Sequence, residues 1–312
     1  MQTMKALRIH DFGGPEVMRF EEVPVPEPKD DEILVRVHAA SVNPVDYKTR
    51  KGAFPAIGRE QLPATLGRDL SGTVERCGPG VRGCERGDEV YALLGADRGA
   101  FAEYVIVKPM EPASKPARLS HAAAAAVPLA ALTAWQGLFD HGGLVAGQRV
   151  LIHGGAGGVG HFAVQLAKHK GATVLTTVSS ADLELARALG ADETIDYEAQ
   201  RFEEVVREVD VVFDLIAGET QARSWSVLKP GGILVSTLGE PSQEAARKHG
   251  VRGVGYMAQA NAAQLAEIAR LINGGMVRPV LESTYPFSAA PQAEQRQESG
   301  HVQGKIVLEL AA

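Results

Sequence analysis

Short apolar stretches that partly alternate with polar residues fill the first third of the chain, with glycine and proline between them. MKALRIHDF and EILVRVHAASV are rich in β-branched residues, and the proline-rich polar segment VPVPEPKDDE separates them. LSGTVERCG and FAEYVIVKP read as further strands, so the region predicts an irregular all-β barrel. The texture changes near Leu119. LSHAAAAAVPLAALTAWQGLFDHGGL is alanine-rich and predicts helix, with Ser120 as its N-cap. Strands and helices then alternate. RVLIHG predicts a strand, about Gly158 to Lys168 a helix, ATVLTTV a strand and ADLELARALG a helix. A short strand follows near ETID, then a helix over EEVVREV, the strand DVVFDLI, a helix through SWSVLK and the strand GGILVST. This βαβα order predicts a parallel sheet covered by helices on both faces. NAAQLAEIARLINGG is an amphipathic helix with a glycine stop, and HVQGKIVLEL ends in a strand.

A length of 312 residues leaves room for two domains. With 45% hydrophobic and 22% charged residues and a mean hydropathy of −0.06, the composition is that of a globular protein. The net charge is −6 and no run of Lys or Arg occurs, which argues against a nucleic-acid partner. No stretch approaches the roughly 18 apolar residues of a membrane span, and MQTMKALRIH lacks the apolar core of a secretory signal. Two cysteines, Cys77 and Cys84, fit a reducing interior better than a disulfide framework and read as turn residues beside glycines. The expected location is the cytoplasm.

HGGAGGVGH, His153 to His161, follows an apolar strand and opens a helix. Gly155, Gly157 and Gly160 match G-x-G-x-x-G. The first glycine makes the turn, the second admits a pyrophosphate, and the third lets helix and strand pack closely. Free N–H groups at the helix start favour the phosphates. About 20 positions beyond Gly160 lie Ser179 and Ser180, where an acidic residue would grip the ribose 2′-hydroxyl of NAD. Two hydroxyls there favour NADP(H). NAD(H) stays open, because no Lys or Arg occurs between Gly171 and Ala186, Asp182 lies close by, and Ser179 with Asp182 also reads as a helix cap.

SVNPVDYKTRKG, LGRDLSGTVERCGPGVRGCERGDEVYAL, GAFAEYVIV, LTAWQGL, the glycine loop and SGHVQGKIVLEL occur in one order. Together they resemble the medium-chain dehydrogenase/reductase superfamily and, within it, the zinc-independent quinone oxidoreductases. The resemblance implies an α/β protein with two domains: a GroES-like β-barrel domain at 1–120 and 276–312, and a Rossmann doubly wound parallel-sheet domain at 121–275. It also implies an active-site cleft where they meet. The superfamily's zinc enzymes use an early cysteine, a Gly-His-Glu motif and a later cysteine. Here the corresponding stretches read Asn43-Pro44-Val45-Asp46 and Gly67-Arg68-Asp69, and no cysteine follows Cys84. No zinc or other metal is expected.

Without a metal to polarise an alcohol, the chemistry shifts to acceptors whose negative charge is delocalised, namely quinones and α,β-unsaturated carbonyls. The resemblance places NPVDYKTRKG beside the nicotinamide. Asn43 would touch the ribose or the substrate oxygen. Tyr47 would give a hydrogen bond or proton to the developing oxyanion, its alternative being a packed aromatic of the barrel. Asp46 and Asp69 read as structural carboxylates, Lys48 and Arg50 as solvated cations, and Arg68 as a residue facing the substrate pocket. The cofactor contacts implied are Asn43, Thr133, the loop residues Gly155, Gly157, Gly158, Val159 and Gly160, Ser179, Ser180, Tyr197, Ile216, Ala217, Thr237, Leu238, Gly304 and Lys305. Thr133 has helix packing as its alternative. A homodimer is expected by analogy. Two rival readings are a cofactor-binding protein without turnover, structural or regulatory in role, and a zinc-type alcohol dehydrogenase.

Overall fold

The computed structural model describes residues 2–310, which fall into two units. The first runs to Leu129 and takes up Ala260–Gly275 and the chain from Pro279 onward. The second comprises Ala130–Gln259 with Met276–Arg278.

The first unit begins with β1 (Thr3–Ile9), β2 (Met18–Pro24), β3 (Ile33–Val42), α1 (Pro44–Arg50), β4 (Ala64–Thr65), β5 (Asp69–Cys77), β6 (Glu89–Leu93), β7 (Tyr104–Val107), β8 (Pro112–Ser114) and α2 (His121–Ala125). The chain continues through α3 (Pro128–Trp135) and a π-helical stretch, Gln136–His141. Next come β9 (Arg149–His153), α4 (Gly160–His169), β10 (Thr173–Val178), α5 (Leu183–Ala188), β11 (Glu193–Asp196), α6 (Phe202–Val205), β12 (Val209–Asp214), α7 (Gly218–Ser224), β13 (Leu228–Ser236), α8 (Gln243–His249) and β14 (Arg252–Gly255). α9 (Ala262–Asn273), β15 (Leu281–Pro286), α10 (Ala290–Glu298) and β16 (Lys305–Glu309) complete the chain.

In the first unit β3 pairs with β5, β7 and β16, all antiparallel, while β1 pairs with β2 and β4. Leu7, Ile9, Val35, Leu70, Phe101 and Ile306 meet in one core, each without exposed surface. In the second unit six parallel strands lie in the order β11-β10-β9-β12-β13-β14. Every residue of β12 is buried, as are β9 and β10 after their first residues, the mark of strands covered on both faces. The order reverses at β9 and β12, so the loop leaving β9 opens at the switch point, where such sheets bind ligands.

Several elements depart from the pattern-based expectation. The helix α1 interrupts the all-β third. Pro44 sits at its first position, and Asp46 accepts a 2.7 Å bond from the Asn43 N–H, so local capping wins over the surrounding β texture. β2 takes in Val23 and Pro24 from the proline-rich stretch, which an edge strand tolerates. The helix expected through SWSVLK starts earlier: α7 covers Gly218–Ser224, a 3-10 turn carries on over Trp225–Val227, and Leu228 and Lys229 belong to β13. α8, β14, β15 and α10 carry apolar periodicity too weak to announce them. Arg50 is no solvated cation. It has no exposed surface, and its guanidinium binds Glu294 at 2.8 Å and Glu298 at 2.6 Å on α10. Both glutamates lie more than 240 residues away, beyond any local pattern. Among the described residues no helix is long and apolar enough to cross a membrane.

Candidate functional site

The glycines of the loop after β9 have separate reasons. A Cβ on Gly155 would lie 2.1 Å from Thr176 Oγ1, and one on Gly160 would lie 2.0 Å from the Gly154 carbonyl oxygen. The protein's own packing forbids both. Gly154 is left-handed, with φ +75°. Gly157 differs: a Cβ there would meet the Gly154 carbonyl oxygen alone, at 3.4 Å, an ordinary contact. Nothing among the described residues requires its bareness, so the loop can admit a pyrophosphate at the start of the ten-residue helix α4. The loop is braced from within by His161, whose Nδ1–H donates to the Gly157 carbonyl at 2.9 Å. Val159, one residue beyond Gly158, anchors the first turn, its carbonyl accepting from Ala163 at 3.0 Å.

His153, at the end of β9, is fully buried. The Ser224 hydroxyl donates to the Thr220 carbonyl at 2.7 Å, so its oxygen accepts from His153 Nε2 at 2.9 Å. The Thr177 hydroxyl, 3.0 Å away, then donates to Nδ1. Burial pushes the imidazole down to about 4. The His153 ring resonances are therefore expected to stay constant between about pH 8 and 5.5 and to titrate near 4 in an NMR titration; a midpoint at or above about 6 would contradict the neutral assignment. Because the folded value lies below the unfolded one, the unfolded state binds the extra proton. This contribution to stability is intact above about 6.5 and lost as pH falls toward about 4.

Beyond β10 the serines stand where the count from Gly160 puts them. Ser179 Oγ donates to Asp182 at 2.7 Å and Ser180 Oγ to Asp196 at 2.5 Å. Tyr197, 48% exposed, follows β11; burial raises its phenol, and the charges of Glu198, Asp182 and Asp196 add to the effect. Ser179, Ser180 and Tyr197 are thus gathered at the ends of two adjacent strands, amid carboxylates. Ile216 and Leu238 project after β12 and β13, 54% and 43% exposed, and Thr237 N–H reaches the Asp214 carbonyl at 3.4 Å. Ala217 is left-handed, with φ +65°. Thr133 is buried in α3, and its carbonyl accepts from the Tyr256 hydroxyl.

In the first unit a second set of residues converges. Asn43 Nδ2 donates to Asp69 at 3.0 Å and to Ser41, while its Oδ1 accepts from Lys305 Nζ. Ser41 Oγ also donates to Asp69, at 2.6 Å. Asn43, Asp46, Asp69 and Lys305 are all buried. Burial raises the Asp69 carboxyl, against the pull of Lys305, and lowers the Lys305 ammonium. Burial, with Glu294 nearby, raises Asp46 well above the carboxylate range. Gly304, with φ +68°, leaves no room for a Cβ, which would lie 2.3 Å from the Val280 carbonyl oxygen. Tyr47 is half-buried on α1 with Lys51 Nζ 5.8 Å from its ring centre; among the described residues its hydroxyl has no hydrogen-bond partner. Arg68 donates to the Leu94 carbonyl at 2.8 Å and lies over Phe54. Among the described residues no group of three or more His, Cys, Asp or Glu side chains is placed to hold a metal ion. Sequence reasoning does not single out Asp214 or Ser41. An aspartate closing the fully apolar run VVF is the available signal for the first.

Residues 29–117 match the model of the alcohol dehydrogenase GroES-like domain, and residues 189–308 that of the zinc-binding dehydrogenases. A 2-methylene-furan-3-one reductase of Solanum lycopersicum is 39% identical over 98% of this chain and 79% of that protein. An NADPH-dependent alkenal/one oxidoreductase, chloroplastic, of Arabidopsis thaliana is likewise 39% identical, over 98% of this chain and 80% of that protein. The quinone oxidoreductase from Coxiella burnetii superposes with a TM-score of 0.93 at 37% identity, covering 99% of this chain and 100% of that one.

Proposed function

The chain belongs to the medium-chain dehydrogenase/reductase superfamily, and from that premise we propose that it is an NADPH-dependent, zinc-independent oxidoreductase of quinones or α,β-unsaturated carbonyls. The observation that carries the reading is Gly157, the loop glycine whose bareness the protein's own packing does not demand. When bound, NADPH supplies the hydride. The glycine loop and the start of α4 hold the pyrophosphate. Ser179, Ser180 and Tyr197 receive the adenosine end. Each serine hydroxyl has one proton, so binding a 2′-phosphate requires it to turn away from Asp182 or Asp196. Thr133, Ile216, Ala217, Thr237, Leu238, Gly304 and Lys305 complete the cofactor contacts.

Tyr47 donates a hydrogen bond to the oxygen that gains charge. Asn43 acts through the turn it begins: its amide is filled by Ser41, Asp69 and Lys305, and its N–H by Asp46, which fixes the first turn of α1. Arg68 occupies the place of a zinc ligand in the superfamily's zinc enzymes, and a cation there opposes a second cation. Tyr47→Phe is expected to lower turnover about tenfold while NADPH affinity holds; unchanged turnover would remove Tyr47 from the mechanism. The whole reading is tested by NADPH oxidation against a panel of quinones and enones. Tight binding with no acceleration by any acceptor would leave a cofactor-binding protein without turnover, and stoichiometric zinc by elemental analysis would restore the alcohol dehydrogenase reading. The reading places the enzyme in the cytoplasm as a homodimer. Two unpaired cysteines support the compartment, and the parallel sheet's edge strand β14 offers backbone for pairing. Sedimentation at the monomer mass would exclude the dimer.

A further inference from the structure

One buried side chain governs two exposed apolar residues that follow the adjacent strands β12 and β13. Asp214, with no exposed surface, closes β12 and accepts four hydrogen bonds. Oδ1 takes the backbone N–H of Ile216 at 3.0 Å and of Ala217 at 2.9 Å. Oδ2 takes Gln221 Nε2 at 2.7 Å and Ser236 Oγ at 3.0 Å. Ser236 Oγ in turn accepts the Leu238 N–H at 3.1 Å. The backbone of Ile216 is thus held directly, and that of Leu238 through Ser236.

The turn held in this way is strained. Ala217 has φ +65° and ψ −162°, a region open almost to glycine alone. Such a conformation persists where surrounding contacts over-determine it, and the pair of bonds to Oδ1 does so. Its effect is on Ile216. The side chain stands 54% exposed, yet its Cδ1 lies 3.2 Å from the point where a Cβ on Gly154 would sit. An isoleucine laid against a glycine of the loop, open to solvent on its other side, is half of an apolar contact. Leu238, 43% exposed at the end of the adjacent strand, presents a second such surface.

We propose that Asp214 is a positioning residue that sets Ile216 and Leu238 as an apolar platform for the bound dinucleotide, with the strained Ala217 turn fixing its angle. The inference rests on the dinucleotide reading of the glycine loop. Asp214 touches no ligand; it acts through the backbone of the two residues that do.

The test is NADPH affinity, read from the nicotinamide's own fluorescence, in a double-mutant cycle. Ile216→Ala and Leu238→Ala alter exposed side chains and are each expected to raise Kd about five- to tenfold with the melting temperature unchanged. Asp214→Asn is expected to raise Kd as well. The combination with Ile216→Ala is expected to be no weaker than Asp214→Asn alone, because a mispositioned isoleucine contributes nothing further. Independent, multiplying effects would show that Asp214 serves stability only and would overturn the proposal. If Asp214→Asn does not fold, Ser236→Ala paired with Leu238→Ala makes the same comparison through the other arm. Wild-type protein that binds NADPH, with unaltered Kd in both alanine variants, overturns the platform and leaves the cofactor reading standing. Wild-type protein that binds no NADPH overturns that reading itself.

Discussion

Gly157→Val is expected to weaken NADPH binding by on the order of 100-fold or more while the protein still folds. The reason is the asymmetry among the loop's glycines. At Gly155 and Gly160 an added Cβ runs into Thr176 and the Gly154 carbonyl, so alanine at either position is expected to lower stability before affinity can be read. At Gly157 nothing in the described chain opposes the Cβ beyond an ordinary contact with the Gly154 carbonyl oxygen. A valine there fills the approach of the pyrophosphate and little else. Fluorescence titration gives the affinity and a thermal melt gives the fold. Tight NADPH binding by the Gly157→Val variant would mean that this loop is not the phosphate site.

Arg50→Ala is expected to cost about 3–5 kcal/mol of stability, read as a lower urea midpoint at unchanged slope. Arg50 ties α1 to α10 with no exposed surface, bonding Glu294, Glu298 and, at 2.8 Å, the Gly13 carbonyl. Removing it strands Glu294, which is equally buried and whose Oε1 already has no hydrogen-bond partner. Burial holds the Glu294 carboxyl above its ordinary range, so its ionised form is the strained one. The sign follows from that direction. A raised folded value means that the folded state binds the proton more readily, so the deficit of Arg50→Ala is expected to shrink as pH falls toward the glutamate range. Arg50→Met combined with Glu294→Leu, which removes both charges, is expected to recover most of the loss. A loss below about 1 kcal/mol for Arg50→Ala, the scale of an exposed pair, would show that the ion pair contributes no more than a surface one.

What is legible in the chain follows the range of the interactions. The glycine loop, the strands β9, β10 and β12 and the helices α4 and α9 announce themselves through periodicity and nearest-neighbour chemistry. The capping serine Ser120 is local too, and its hydroxyl accepts from Ala123 at 3.2 Å. α1 stays hidden because its cap, Asn43 with Asp46, is written in four residues inside a β-rich stretch. Arg50 misleads because a cation next to Lys51 and Gly52 looks solvated until α10 is brought against it. For Ser179 and Ser180 the count along the chain locates the residues, but not the direction of their hydroxyls.

Adjacent residues alone predict a pyrophosphate cradle after an apolar strand and a β-rich segment before the βα alternation, while the departure from the zinc enzymes' motifs is read through the family resemblance. Folding decides the rest: which loop glycine the chain's own packing does not require, how the amide of Asn43, the cap of α1, comes to be filled, and how Asp214 comes to hold Ile216 and Leu238. The contacts that bring these groups together include Asn43 to Asp69, 26 positions apart, Asp214 to Ser236, 22 apart, and Asn43 to Lys305, 262 apart. Their energies come from burial and from hydrogen bonds made where water is excluded, and neither exists until the sheets have closed.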